Sequence, residues 1–349
     1  MKQLLIAAGF VIFSCTLPFK ASAANFDQLD VFGDSLSDTG NTFNVSGGRV
    51  QPSTAFPPDP PYFQGRFSND RSFVDYLGNN LGLTPTLFTA LPQNTTTIPS
   101  QGINFAFGGS NSGLDNDFIP NAPGVLAQVG LFTQRLQANN QKADPNALYS
   151  VWAAGNDYLF GGITDPNLTV NNILSSVTLF AQAGAKNILV FNQPDLGKIP
   201  YASNTGASSQ LTALSTSYNA LLANALSQFS LSNPSLNIIP VDVYSLFNQV
   251  IASPEKFGFK NATASCVIGD FQAITSVCNN PNDFLFFDAV HPTTHAYELT
   301  ADAALLAIKA KSVPEPSTPL AILAFGAIGA VGVFKRQKKT VKSCPSNHS

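Results

Sequence analysis

Short apolar runs alternate along the chain with longer segments of helix-like pattern. The apolar runs are bounded by Gly, Pro or Asn and indicate strands that are buried on both faces. Strands alternating with helices are typical of a parallel sheet covered by helices on both sides. Strands are predicted at 29–32, 103–105, 148–153, 187–192 and 236–241, and helices at 69–81, 124–139, 169–183, 210–229 and 294–309.

Two stretches between these elements lack a regular pattern. Residues 43–64 are rich in proline, and residues 84–99 include three consecutive threonines at 95–97. Such stretches are candidates for substrate-binding loops or for surface decoration. No internal repeat interrupts the alternation, so we predict one α/β domain.

The first 23 residues have the three parts of a secretory signal peptide. Lys2 supplies the positive start, residues 4–17 form an apolar core, and Ala-Ser-Ala at 21–23 is a small-residue cleavage site. Cys15 raises the alternative of a lipoprotein signal, but Phe13 two positions earlier fits that signal poorly. We therefore expect Sec-type export and cleavage after Ala23.

A second sorting signal is indicated at the other end of the chain. Pro-Glu-Pro at 314–316 precedes the uncharged run 318–334 and the basic cluster 335–339. The run is at the short end for a transmembrane segment, and the basic cluster would stay cytoplasmic. The arrangement resembles the PEP-CTERM sorting signal of Gram-negative bacteria, which implies an exosortase-type processing enzyme and transient inner-membrane association. The alternative is an ordinary C-terminal membrane anchor. The predicted organisation is a signal peptide at 1–23, a folded domain at 24–311 and a sorting segment at 312–349.

Charged residues are scarce and nearly balanced in sign. They make up 11% of the chain, against about 25% in an average soluble protein, and the formal net charge is −3. No basic face is apparent, so nucleic-acid binding is not expected. Most of the 28 phenylalanines are expected in the core; those proposed to line an acyl groove are Phe43, Phe56, Phe63 and Phe67.

Gly-Asp-Ser-Leu at 33–36 directly follows the first predicted strand. Gly33 permits a sharp turn, and a serine on such a turn projects over the carboxyl edge of the sheet, where open α/β folds bind ligands. Gly, Asp and Ser are also common turn formers, so the tetrapeptide alone would equally fit a simple turn. Asp288 and His291 near the far end of the domain complete a hydrolytic triad, which favours Ser35 as a nucleophile.

Histidine is scarce, and this narrows the choice of a general base. The chain has His291, His295 and His348, and His348 lies in the tail. His291 and His295 also fit the start of a helix after Pro292, but a serine nucleophile needs an imidazole, and Asp288 favours His291. Their spacing suits a zinc pair, yet no Glu lies between them and no third histidine is at hand. Neither a metal nor another cofactor is therefore predicted.

Four separated blocks resemble the GDSL, or SGNH, hydrolase family and occur in the family's order. They are residues 32–38, residues 102–110, Ala-Gly-Asn-Asp at 154–157 and Asp-x-x-His at 288–291. The third block departs from the family's Gly-x-Asn-Asp, because Ala154 occupies its first position. Residues 65–69 and 242–247 also resemble the secreted bacterial branch. The resemblance spans about residues 29–310 and implies a flavodoxin-like, three-layer α/β/α sandwich with a five-stranded parallel sheet.

The resemblance also implies how the reaction intermediate is bound. Its negatively charged oxygen would accept hydrogen bonds from the backbone N–H of Ser35, the backbone N–H of Gly109 and the side chain of Asn156. Gly108 is the alternative to Gly109. Three aspartates near these residues are expected to hold the loops by hydrogen bonds: Asp34, Asp38 and Asp157.

Cysteine use is consistent with an exported domain. Cys15 belongs to the signal peptide and Cys344 to the tail, which leaves Cys266 and Cys278 in the domain. In a disulfide-permissive compartment we expect these two to be bridged, and the alternative is two free thiols.

These features together predict a secreted serine esterase or lipase that acts on an ester or lipid through an acyl-enzyme on Ser35. One alternative is an acyltransferase that uses the same triad with an alcohol acceptor. Another is a catalytically silent surface or matrix protein, against which the complete set of site residues argues. We expect the protein at the cell surface or outside the cell, with membrane anchoring as the alternative at the C-terminus.

Overall fold

Six parallel strands form the central sheet of the computed structural model, which describes residues 25–48, 50, 55–92 and 95–312. Five of them are the predicted strands, which confirms the α/β class with a parallel sheet. The sixth is a two-residue strand at one edge, within the stretch 84–99 that shows no regular pattern. The strands are β1 (Leu29–Gly33), β2 (Thr86–Leu87), β3 (Ile103–Asn104), β4 (Leu148–Trp152), β5 (Asn187–Phe191) and β6 (Asn237–Val241).

The order of the strands across the sheet is β2-β3-β1-β4-β5-β6. The chain passes from β1 to one side, forms β3, and then crosses to the other side of β1 to form β4. Without the edge strand β2, this is the flavodoxin-like order. The connections on the two sides of β1 diverge at its carboxyl end, and a crevice is expected there.

The five predicted helices are all present, with ends shifted by a few residues. The largest shift is at α2, which begins at Phe73 rather than at 69. The Asp75 carboxylate accepts a hydrogen bond from the Ser72 N–H (2.8 Å), while Asn69 accepts one from the distant Thr294 N–H (3.0 Å). Ser72 therefore caps α2, and Asn69 makes a tertiary contact instead of taking part in a helical turn. The helices are α1 (Asn41–Val45), α2 (Phe73–Leu81), α3 (Val125–Ala138), α4 (Gly155–Leu159), α5 (Pro166–Ala183), α6 (Pro200–Thr205), α7 (Ser208–Ser232), α8 (Val243–Ala252) and α9 (Thr294–Ser312).

Aromatic side chains pack the sheet against helices on both faces. On one face Phe32 of β1 contacts Phe132 of α3 and Phe180 of α5, with ring centroids 5.6 and 4.8 Å apart. On the other face Phe73 of α2 contacts Trp152 of β4, at 5.3 Å. Alternate side chains of a strand point to opposite faces, so the sheet lies between two helical layers.

Two small sheets lie outside this central sheet. The parallel pair consists of β7 (Asn261–Ser265) and β10 (Phe284–Phe286). The antiparallel hairpin consists of β8 (Val267–Gly269) and β9 (Ile274–Val277). A disulfide joins Cys266 and Cys278 at the base of the hairpin, with the two Cα atoms 4.9 Å apart.

The predicted targeting segments lie outside the described residues. These are the signal peptide at 1–23 and the apolar run at 318–334. Within the ranges that the structure describes, no helix is both long enough and apolar enough to cross a membrane.

Candidate active site

Ser35 lies in the turn that follows β1. Gln128 of α3 holds both backbone groups of Gly33: its Oε1 accepts from the Gly33 N–H, and its Nε2 donates to the Gly33 carbonyl, both at 2.9 Å. A Cβ at Gly33 would lie 2.9 Å from the carbonyl oxygen of Trp152, so this turn packs too closely on β4 for a side chain. Ser35 is 7% exposed and is held at the end of a fixed strand.

His291 brings its ring to this serine. His291 Nε2 lies 2.7 Å from Ser35 Oγ, and Nδ1 lies 3.0 and 2.8 Å from the two carboxylate oxygens of Asp288. Asp288 Oδ1 also accepts from the backbone N–H groups of Val290 (2.8 Å) and His291 (2.7 Å). The same carboxylate therefore closes the turn after β10 and orients the imidazole.

Tyr62 is a fourth member of this hydrogen-bonded chain. Its hydroxyl donates to Asp288 Oδ2 at 2.8 Å, although Tyr62 is 226 positions away in the sequence. Burial and the neighbouring Asp288 charge raise the pKa of Tyr62, so the phenol keeps its proton and remains a donor. Tyr62 lies in the proline-rich stretch 43–64, where no motif marks it.

The ionisation of Asp288 suits an orienting role. Burial by itself pushes the pKa of Asp288 upward, but the charge of His291 and the hydrogen bonds from His291 and Val290 outweigh it. The net pKa lies below the usual value for an aspartate, so Asp288 is a carboxylate at neutral pH.

Gly108 and Gly109 differ in what their N–H groups do. The Gly108 N–H donates to Asp38 Oδ2 (3.0 Å) and to Thr42 Oγ1 (2.7 Å). The Gly109 N–H has no hydrogen-bond partner among the described residues, and Gly109 has a φ of +82°, which favours glycine. Of the two, Gly109 is the one whose N–H is available to a ligand.

Asn156 presents its side chain beside Gly109. Its Nδ2 donates one hydrogen bond to the Ser110 carbonyl at 2.9 Å, which fixes the amide and leaves its second hydrogen for a ligand. The Ser35 N–H likewise has no partner within the ranges described. Ser35, Gly109 and Asn156 follow the adjacent strands β1, β3 and β4, which explains why the three donors meet at one edge of the sheet.

Ala154 is the departure from the family pattern, and it has a left-handed backbone. Its φ is +95° and its ψ is −5°, at the residue that precedes α4. This conformation costs a residue with a Cβ about 1–2 kcal/mol relative to glycine. The Gln193 side chain donates to the neighbouring Ala153 carbonyl. The substitution therefore leaves the turn in the glycine-like conformation at the expense of some strain.

Three buried aspartates hold the loops around the site. Asp34 Oδ1 accepts from the Leu36 N–H (2.9 Å), and Asp157 accepts from the N–H and hydroxyl of Ser112 (2.8 and 2.6 Å). Burial raises the pKa of all three, in the case of Asp34 to about 7. Asp38 binds the backbone N–H groups of several residues at once: Gly40, Asn41, Thr42 and Gly108.

A cavity of about 240 Å³ opens above Ser35 and is lined by the five predicted site residues and by aromatic side chains. Of the four proposed groove phenylalanines, Phe56 and Phe67 line the cavity, whereas Phe43 and Phe63 do not. Of the irregular stretches, 43–64 contributes to the lining, and none of the described residues of 84–99 does. The sequence does not single out the other aromatic residues of the wall: Phe118, Phe160, Tyr201 and Phe271.

The second histidine of the domain lies away from Ser35. The His295 ring stacks on Phe259, with centroids 4.4 Å apart, and its Nδ1 lies 3.2 Å from the Asn282 carbonyl oxygen. Throughout the described ranges, no group of three or more His, Cys, Asp or Glu side chains is arranged to hold a metal ion.

Comparison with known families agrees with this geometry. Residues 30–304 match the family described as GDSL-like Lipase/Acylhydrolase. The chain belongs to this family. This membership supports the class of carboxylic ester hydrolases for the matched domain. Residues 312–337 match the PEP-CTERM protein-sorting motif, which indicates export and a surface or extracellular location.

Among the relatives of this GDSL-family chain, one is named as an uncharacterized protein and another as an esterase. It is 31% identical over 314 residues to an uncharacterized protein of the trpE-trpG intergenic region of Pseudomonas putida, covering 83% of this chain and 50% of that one. It is 30% identical over 326 residues to esterase EstA of Pseudomonas aeruginosa, covering 85% and 49%. The chain thus spans about half the length of these two relatives. A carbohydrate acetylesterase family member from Sinorhizobium meliloti is similar in structure, with a TM-score of 0.41, 12% identity and coverage of 82% and 99%.

Proposed function

We propose that this chain is a serine esterase that hydrolyses carboxylic esters through an acyl-enzyme on Ser35. The observation that carries the proposal is the 2.7 Å contact between His291 Nε2 and Ser35 Oγ, with Asp288 on the far side of the imidazole ring. A hydroxyl is a weak nucleophile at neutral pH unless a base removes its proton as it attacks. The five site residues line one cavity of about 240 Å³.

In the first half of the reaction, Ser35 Oγ attacks the carbonyl carbon of the ester and its proton passes to His291 Nε2. The carbonyl oxygen becomes negatively charged and is bound by the N–H groups of Ser35 and Gly109 and by Asn156 Nδ2. The bond to the alkoxy oxygen then breaks, and His291 returns the proton to the departing alcohol. The products of this half are the free alcohol and an acyl group on Ser35.

In the second half, water takes the place of the alcohol. His291 removes a proton from the water as its oxygen attacks the acyl carbon, and the same donors bind the negative oxygen. The bond to Ser35 Oγ breaks, and His291 returns the proton to the serine. The products are a carboxylic acid and the original enzyme. An alcohol in place of water would give acyl transfer by the same steps.

A fluorophosphonate probe tests this proposal, because it labels only a serine that a base activates. Wild-type protein is expected to be labelled at Ser35 and to hydrolyse phenyl acetate. Ser35→Ala and His291→Ala are expected to lose both properties, whereas His295→Ala, remote from the site, is expected to keep them. Labelling that persists in His291→Ala would mean that the base is another group. Absence of labelling in the wild type would favour a catalytically silent protein.

We also infer that the enzyme is exported through a signal peptide at 1–23 and is processed at its C-terminus. The match of residues 312–337 to the sorting motif supports this inference. An exosortase-type enzyme would be the processing partner, and the basic cluster at 335–339 would hold the chain transiently in the inner membrane before cleavage. The substrate, an ester or lipid, would then be met outside the cytoplasm.

A further inference from the structure

The hairpin of β8 and β9 lies beside the active site and forms a sheet separate from the central one. The Cys266–Cys278 disulfide joins its two ends, and the Cys278 N–H donates to the Cys266 carbonyl at 2.9 Å. Its outer face is open to solvent, with Ile268 50% and Val277 42% exposed. Its inner face packs on a small apolar cluster separate from the main core, formed by Tyr62, Cys266, Val267 and Phe287.

At the tip of the hairpin, the ring of Phe271 lies close to His291, the proposed base. Asp270 Oδ1 accepts from the N–H groups of Gln272 and Ala273 (2.9 and 2.8 Å), which makes a tight turn around Phe271. The centroid of the Phe271 ring lies 6.2 Å from that of the His291 ring. Phe271 therefore lies close to His291, at the tip of a hairpin whose two ends are joined by a disulfide.

Three further rings hold Phe271 in this place. Its centroid lies 4.6 Å from Phe56, 5.2 Å from Tyr62 and 5.8 Å from Phe67. The Phe67 ring in turn lies 5.1 Å from His291. We call Phe56, Tyr62, Phe67 and Phe271 the base-side wall of the cavity. The Tyr62 hydroxyl is already committed to Asp288, so this wall offers mainly apolar surface.

A second aromatic group lies on the oxyanion side. Phe118 and Phe160 are in contact, with centroids 4.9 Å apart, and Phe160 contacts Tyr201 at 5.3 Å. A Cβ on Gly109 would lie 2.7 Å from the Phe118 ring, so this group stands directly beside the oxyanion donors. The Tyr201 hydroxyl donates to the Leu159 carbonyl. We call Phe118, Phe160 and Tyr201 the oxyanion-side wall.

The direction of proton transfer decides which part of an ester each wall faces. His291 Nε2 must reach the alkoxy oxygen to protonate the departing alcohol, so the alcohol part leaves on the side of the base. The carbonyl oxygen points at Gly109 and Asn156, so the acyl part leaves the carbon in the remaining direction, away from His291. The base-side wall therefore faces the alcohol, and the oxyanion-side wall faces the acyl group.

We propose that the hairpin recognises the alcohol part of the substrate, that Phe271 sets this specificity, and that the substrates are esters of apolar alcohols. The inference rests on the proposed esterase function. Among the described residues, the charged side chains that line the cavity are Asp270 and the triad Asp288. The lining therefore has no Lys or Arg to bind an alcohol part that carries a negative charge. Burying one methylene of the substrate on such a wall raises kcat/KM by about fourfold.

Two ratios of kcat/KM measure the two walls separately in the exported protein. The alcohol ratio compares hexyl acetate with ethyl acetate, and the acyl ratio compares ethyl hexanoate with ethyl acetate. Both pairs differ by four methylenes, and the alkyl alcohols are of nearly equal acidity. Wild-type enzyme is expected to show an alcohol ratio on the order of 10². Phe271→Ala is expected to lower it at least tenfold and to change the acyl ratio less than threefold.

Two control variants bracket this result. Phe160→Ala is expected to lower the acyl ratio and to preserve the alcohol ratio, while Ile268→Ala, on the outer face of the same hairpin, is expected to preserve both ratios. Phe271→Leu keeps an apolar side chain at the tip, and its alcohol ratio is expected between those of the wild type and Phe271→Ala. If Phe271→Ala does not fold, the alcohol ratio of Phe271→Leu still tests the role of Phe271.

Equal alcohol ratios in the wild type and Phe271→Leu would overturn the role of Phe271. An equal fall of the alcohol ratio and the acyl ratio in Phe271→Ala would overturn it as well. An alcohol ratio near one in the wild type would overturn the substrate class. Failure of the proposed function has a different signature, because wild-type enzyme would then hydrolyse none of these esters, or Ser35→Ala would hydrolyse them equally well. That outcome would overturn the inference together with the function on which it rests.

Discussion

Asp288 carries most of the hydrogen bonds that prepare the site for reaction. Its two oxygens accept from the backbone of Val290 and His291, from the imidazole and from Tyr62. These bonds exist without substrate, so little rearrangement is needed when the imidazole becomes charged. A single side chain thereby fixes the position and orientation of the imidazole.

Asn156 offers a direct test of the oxyanion site at the scale of one residue. Asn156→Ala removes a donor that acts mainly on the charged intermediate, so we expect kcat to fall by roughly 10²–10³ with little change in KM. Steady-state kinetics with phenyl acetate would measure both constants. Asn172→Ala, which removes an amide that donates to the Ser112 hydroxyl behind the site, is the matched control. A rise in KM at constant kcat would make Asn156 a ground-state binding residue instead.

The residues of the site differ in how visible they are in the sequence. Ser35, Asp288 and His291 occur in short motifs, because a turn after a strand and an Asp-x-x-His turn are each built from neighbouring residues. Tyr62 and Phe271 have no such signature, since their roles depend on contacts across 226 and 20 positions of the chain. Contacts of this kind are set by the fold and leave no local pattern of residues.

At the scale of elements, the buried strands and the long helices are the predictable part. A strand that is apolar throughout and a helix of three or more turns carry their pattern in their own residues. The helix α8 (Val243–Ala252) was not predicted, although Asp242 begins it by accepting from the Ser245 N–H at 3.0 Å. The edge strand β2 and the short helices α1, α4 and α6 have too few residues to show a period.

Strand β1 carries a buried carboxyl group that makes the sheet sensitive to pH. Asp30 Oδ1 accepts from the Ile103 N–H of β3 at 2.8 Å, while Oδ2 has no partner among the described residues. Burial raises the pKa of Asp30 from 3.8 to about 7. The folded protein thus holds a proton that the unfolded chain releases near pH 4. The stability due to this proton is fully present below that pH and is lost as the pH rises through about 7.

Asp30→Asn should remove this dependence, because asparagine keeps the oxygen that Ile103 needs and carries no charge. Relative to wild type, we expect the free energy of unfolding of the variant to rise by up to about 1.4 kcal/mol per pH unit between pH 4 and 7. Urea unfolding at pH 4.5 and pH 8 would measure the difference. Asp27→Asn, at an exposed position three residues earlier, is the control. A difference that is the same at both pH values would contradict the expectation.

At the scale of the whole molecule, the fate of the C-terminus can be separated from catalysis. If the sorting segment is processed, the mature protein should begin at Ala24 and end near residue 316, without Cys344 and His348. Intact-mass measurement of protein from its native cells would show this. Glu315→Ala, which alters the Pro-Glu-Pro sequence, is expected to leave the chain unprocessed. A wild-type mass that extends to Ser349 would rule out processing. Esterase activity is expected in either form, since every proposed catalytic residue precedes Thr294.

Ser35 and His291, the proposed nucleophile and base, are 256 positions apart in the chain. A chain that leaves the cytoplasm amino terminus first therefore delivers Ser35 early and His291 late. Until β10 and α9 have emerged and packed, the Ser35 hydroxyl would lack the imidazole of His291. If the proposed export and catalysis hold, ester hydrolysis would begin only when nearly the whole domain has crossed the membrane.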